Sequence, residues 1–137
     1  MAELGYSGTP LAKKLGIQAP MKLVVINAPQ EYKVWLGDLP EGVKLVTKAV
    51  PPIEAVHVFT TESLFLDATL SKLRNELKQT GFIWISWPKK ASEVPTDITE
   101  DTIREIALPL GFVDIKVCAV SEVWSGLKLV IRKSERK

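Results

Sequence analysis

The sequence predicts an α/β protein of three layers, with a central sheet that is parallel except for its last strand. Three observations carry this. Near-continuous apolar runs at residues 22–28 (KLVVINA), 55–60 (AVHVFT) and 82–87 (FIWISW) have the character of strands buried on both faces. Segments with helical spacing alternate with them, which calls for helices on both sides of one sheet. The final two strands, 113–120 and 127–132, are separated by a connection short enough for a hairpin, so the last strand should run antiparallel.

Residues 5–10 are loop-like, and Pro10 can sit in the first turn of a short helix over 11–15 that Gly16 stops. After the strand at 22–28, Pro29 can open a helix, with Glu31 in its first turn and Gly37 at its end. Residues 38–42 form a turn, 43–47 a second short strand, and Pro51-Pro52 punctuates the chain before the third strand at 55–60. Leu66, Leu70, Leu73 and Leu77 recur at the spacing of one helical face. Thr60 or Thr61 can cap that helix, and Gly81 supplies a left-handed stop. The strand at 82–87 follows, terminated by Pro88.

Thr99 is a good cap for the next helix, with Glu100 and Asp101 in its electropositive first turn and Ile98 placed to staple onto Ile103. Ile103, Ile106, Ala107 and Leu110 make its buried face. Pro109 removes a helical hydrogen bond and clashes with the preceding turn, so the helix should end or kink near Leu108.

At 137 residues the chain has the size of one domain, and residues 1–137 are read as undivided. Eighteen basic and sixteen acidic side chains leave a net charge of +2, which argues against nucleic-acid binding and against a membrane field. One cysteine, Cys118, excludes an intramolecular disulfide and suits a reducing compartment. No apolar run approaches the roughly 18 residues of a bilayer span, and MAELGYSGTP lacks the pattern of a signal peptide. The expectation is a soluble cytoplasmic protein.

Open parallel sheets bind ligands beyond the carboxyl ends of their strands. Here that edge collects Asn27, Thr60, Thr61, the 88–97 loop and the 121–126 turn. Lys89 and Lys90 emerge there beside a helix start and would suit a phosphate or carboxylate; the plainer alternative is two solvated lysines. Asp97 can cap the following helix. If Thr99 caps it instead, Asp97 is left to accept from a ligand hydroxyl or to pair with Lys89 or Lys90. Trp124 can stack on a planar ligand or cover the end of the sheet, and Ser125 lies beside it with no histidine to activate it.

The one histidine, His57, sits inside an apolar strand and reads as a satisfied core residue. One histidine and one cysteine argue against a zinc site and against a histidine-dependent triad. Cys118, in KVCAV, reads as a small buried apolar side chain. The turn after the first strand is NAPQEY rather than a glycine-rich loop, Thr47-Lys48 stands where a ribose-binding carboxylate is expected, and no GxxxxGK[ST] occurs.

The strand order with its terminal antiparallel hairpin resembles a shortened class I S-adenosylmethionine (SAM)-dependent methyltransferase, a Rossmann-like sandwich. The blocks GYSGTPLAKKLGI, WPKKAS followed by TD, and KVCAV followed by WSGLKLVIR resemble a family of short bacterial proteins of unknown function. The second resemblance implies a bacterial origin and no mechanism. The first implies SAM as a possible cofactor, which no glycine-rich loop supports: Asn27-Ala28-Pro29 takes that loop's place and Lys48 that of the acidic ribose ligand. The reading is a non-catalytic or regulatory domain that binds an anionic small molecule or a protein partner through Asn27, Lys89, Lys90, Asp97, Trp124 and Ser125. The alternative is a small divergent SAM-dependent methyltransferase, with GYSGTP closing over the site as a lid.

Overall fold

A computed structural model of the chain describes residues 10–48 and 50–137. The loop read over residues 5–10, and the lid suggested for it, therefore fall outside the described residues apart from Pro10. The elements are α1 (Leu11–Lys14), β1 (Met21–Ile26), α2 (Tyr32–Leu36), β2 (Val43–Val46), β3 (Ile53–Phe59), α3 (Ser63–Glu76), β4 (Leu77–Pro88), α4 (Glu100–Ala107), β5 (Phe112–Ala119) and β6 (Trp124–Ile131). The six strands form one sheet in the order β2-β1-β3-β4-β6-β5. β1 pairs parallel with β2 and β3, β3 parallel with β4, and β6 antiparallel with both β4 and β5. The predicted fold class is the observed one: β6 alone runs against the rest.

Alternation along the strands divides the core in two. Val56, Val58, Ile83, Ile85, Leu127 and Leu129 face α3 and α4, where Leu66, Leu70 and Ile103 meet them. Leu23, Ala55, Phe59 and Trp84 face the other way, against Leu11 and Leu15 around α1 and Tyr32 and Leu36 of α2. Trp84 is fully buried, and its indole Nε1–H donates to the Leu15 carbonyl at 2.8 Å, tying the α1 end to the middle of the sheet. Gly126 makes room for that ring, since a Cβ there would lie 3.1 Å from Trp84 Cε3.

Several boundaries differ from the sequence expectation, each for a physical reason. Pro29 belongs to the turn before α2, and its carbonyl accepts from Tyr32 N–H at 3.1 Å. α3 ends at Glu76 and the chain extends at once into β4, so Gly81 is a buried strand residue and not a helix stop. A Cβ at Gly81 would sit 2.7 Å from the Glu54 carbonyl oxygen, so the close approach of β3 demands glycine there. Neither Thr60 nor Thr61 holds the cap position of α3, which falls to Glu62. Trp124, Ser125 and Gly126 lie in β6, which shortens the hairpin turn to the residues between Ala119 and Trp124. Cys118 is half-buried on β5 rather than buried.

Other expectations hold. Thr99 caps α4 and forms a capping box with Thr102. α4 passes into a 3-10 turn over Leu108–Leu110 that contains Pro109. No helix among the described residues is long and apolar enough to cross a membrane.

Candidate functional site

The site is built from the carboxyl ends of β1, β3 and β4 and from the β5–β6 turn. β1 ends at Ile26, and Asn27 then takes a left-handed conformation (φ 60°) that reverses the chain toward Ala28 and Pro29. Asparagine tolerates this better than most non-glycine residues. At the far side, Ser121 is buried and its hydroxyl accepts from the backbone N–H of Val123 (3.2 Å) and of Trp124 (3.1 Å), which fixes the turn. The Lys89 N–H donates to the Val123 carbonyl at 2.7 Å, so the end of β4 and the turn form one rim.

Two grooves meet at Pro29. One, of about 340 Å³, has an apolar floor of Val25, Ala28 and Leu45 with Tyr32 and Lys33 beside it. The other, of about 370 Å³, runs between α2 and the β5–β6 turn and is lined by Glu31, Trp35, Ser121, Glu122 and Trp124.

Below the grooves lies a buried polar relay. Tyr32 Oη is 2.7 Å from His57 Nδ1, and His57 Nε2 is 2.7 Å from Ser86 Oγ. A neutral imidazole has one donor and one acceptor, so one hydroxyl donates a hydrogen bond to the ring and the other accepts one from it. Burial pushes the His57 pKa down to about 3 and pushes Tyr32 up, so both stay neutral at physiological pH. His57 also stacks on Phe59 at 4.3 Å, and Phe59 meets Trp124 edge to face at 5.2 Å. The relay thus braces the aromatic wall of the second groove. Its histidine is the satisfied core residue the strand pattern predicts.

Of the six residues singled out in the sequence, Lys89, Trp124 and Ser125 come from one rim, where the end of β4 meets the β5–β6 turn, and Asp97 is engaged apart from them. Asn27 is exposed at the mouth of the first turn, and Trp124 lines the second groove. Ser125 pairs in register with Trp87 and Ala119, one strand position on from Trp124 and so toward the opposite face. Lys89 is half-buried and Lys90 exposed, at the start of a 3-10 turn. Asp97 is committed elsewhere: its carboxylate accepts from the Ser63 backbone N–H and hydroxyl, both at 2.8 Å. Those bonds lower its pKa and cap α3, not α4. Among the described residues no group of acidic, histidine and cysteine side chains could hold a metal ion.

No family model matches the chain, and no curated protein matches it in sequence. Solved structures do match in shape. A SAM-dependent methyltransferase from Aquifex aeolicus superposes with a TM-score of 0.63 at 14% identity, over 88% of this chain and 87% of that one. A protein from Sulfolobus solfataricus assigned to the type 11 methyltransferases gives 0.58 at 15% identity, over 93% and 92%. Magnesium protoporphyrin IX methyltransferase from Synechocystis PCC 6803, solved with bound SAM, gives 0.56 at 12% identity, over 90% and 74%. The scaffold is methyltransferase-like. At these identities the likeness is one of fold.

Sequence reading missed Tyr32, Trp35, Glu31, Glu122 and Ser86. Trp35 follows Tyr32 by three positions on a short helix, a spacing that signals a shared face but not a groove. The relay joins residues 25 and 29 positions apart, which no local pattern announces.

Proposed function

We propose that the protein is a small, divergent SAM-binding domain of the methyltransferase type, with its ligand held at the carboxyl edge of β1. The observation that supports this above others is the agreement in fold with methyltransferases over nearly the whole chain. The lining chemistry fits part of such a ligand. Val25, Ala28 and Leu45 offer an apolar floor for a purine. The turn at Asn27 provides by a left-handed asparagine what a glycine would otherwise provide. When bound, SAM would supply a methyl group carried on a sulfonium. Lys48 at the end of β2 cannot accept from ribose hydroxyls, so recognition there must differ from the usual pattern.

Calorimetry with SAM and with S-adenosylhomocysteine tests the reading. Saturable binding is expected, abolished by Ala28→Trp, which fills the floor of the groove. A folded wild-type protein that gives no binding heat with either compound overturns it.

A second reading is the one the sequence suggests, from Lys89 and Lys90 at the end of β4. On that reading the domain is non-catalytic and binds an anionic metabolite or a protein partner near Lys89 and Lys90. Binding of phosphorylated metabolites without SAM binding would select it.

A further inference from the structure

The groove between α2 and the β5–β6 turn has a chemistry opposite to that of the neighbouring lysines. Trp35 and Trp124, both half-buried, line it, and the exposed Glu31 and Glu122 stand at it; no lysine or arginine is among its lining residues. Neither glutamate has an ion-pair partner among the described residues. Two carboxylates beside two indoles, with no basic side chain among the lining residues, favour a cation in this groove. Indole faces add the negative side of their quadrupole.

That combination repels phosphates and carboxylates. It attracts an organic cation whose charge is spread over methyl groups, because such a cation sheds water readily and packs its methyls on the rings. A lysine-like ammonium keeps a tighter water shell and suits an open surface better. The wall is also organised in advance. Trp124 meets Phe59 in a T-shaped contact, Phe59 stacks on His57, which is held between Tyr32 and Ser86, and Ser121 fixes the turn that carries Glu122. A ligand entering the groove meets at Trp124 a ring that needs little further ordering. The volume, about 370 Å³, accommodates a trimethylammonium head with a short polar tail.

We propose that this groove is a binding site for a small methylated-ammonium compound, with Trp35 and Trp124 as the aromatic faces and Glu31 and Glu122 as the counter-charges. The ligand is distinct from SAM, and the inference stands whether or not SAM binds.

The test is a titration of the full chain with choline, followed by tryptophan fluorescence and by calorimetry. The comparison ligand is choline's uncharged isostere, with carbon in place of the quaternary nitrogen. Choline is expected to bind saturably, and the isostere to bind roughly tenfold more weakly or not at all. A Glu31→Gln/Glu122→Gln double variant keeps its fold, since both side chains are exposed, and is expected to weaken choline roughly tenfold. Trp35→Leu should weaken it further while leaving the Phe59–Trp124 brace in place. Absence of saturable choline binding overturns the proposal. So does equal binding of the isostere, or a double variant that binds choline as tightly as the wild type does.

Discussion

Asp97 grips Ser63 with both carboxylate oxygens, one on the backbone N–H and one on the hydroxyl, each at 2.8 Å. The two residues are 34 positions apart, and the contact fastens the loop after β4 to the start of α3. A negative charge at a helix N-terminus is favourable in its own right.

Asp97→Asn removes the charge and one acceptor, so the variant is expected to melt a few degrees below wild type in a thermal scan. The sign of its pH dependence follows from the lowered carboxyl pKa. The stabilisation is fully present above the unfolded-state value and is lost as pH falls through the depressed folded-state value. The variant's melting temperature should therefore converge on that of the wild type in acid. Ser63→Ala should show a smaller loss, and the double variant should be less than additive.

His57 carries a different pH signature. Its folded-state pKa is pushed down to about 3, whereas the unfolded imidazole titrates near its ordinary value of 6.5. Between those values the unfolded chain binds the extra proton, so stability declines as pH drops from about 6.5 toward about 3. Urea unfolding of His57→Ala across that window should lack this component. At neutral pH the variant should lose about 3 kcal/mol or more, from the cavity and from the orphaned hydroxyls of Tyr32 and Ser86.

Gly81→Ala puts a methyl group 2.7 Å from a backbone carbonyl of β3 and 2.9 Å from Leu77 Cδ1. Backbone cannot yield cheaply here, so a loss of about 1–3 kcal/mol in denaturant unfolding is expected. If Gly81 were a solvent-facing helix stop, the cost would be smaller and would come from backbone strain alone.

Trp84→Phe removes the indole donor from the buried Leu15 carbonyl while keeping most of the ring volume. The expected cost is about 1–3 kcal/mol. Hydrogen exchange should quicken first in α1 and in the Leu15–Ile17 segment, which the bond holds to the sheet. A uniform increase across all elements would place the role of Trp84 in general packing instead.

The strands, their mainly parallel pairing and the reversed last strand were legible in the chain itself, because strands buried on both faces must be written as apolar runs such as VVI, AVHVF and FIWISW. The cap at Thr99 and the core position of His57 were legible for the same kind of reason, since each follows from neighbours within a few residues. Partners distant in sequence were decided only by the tertiary structure. Asp97 was expected to cap locally, to meet a ligand or to pair with a lysine, and packing delivered it to Ser63. Gly81 looks like a helix stop because glycine permits a left-handed turn, but the passage of β3 beneath it uses its missing Cβ instead. The groove of Trp35, Trp124 and the two glutamates exists only once α2 and the β5–β6 turn are brought to one edge of the sheet. Local chemistry selects the elements, while the coincidence of side chains from different elements is a property of their packing.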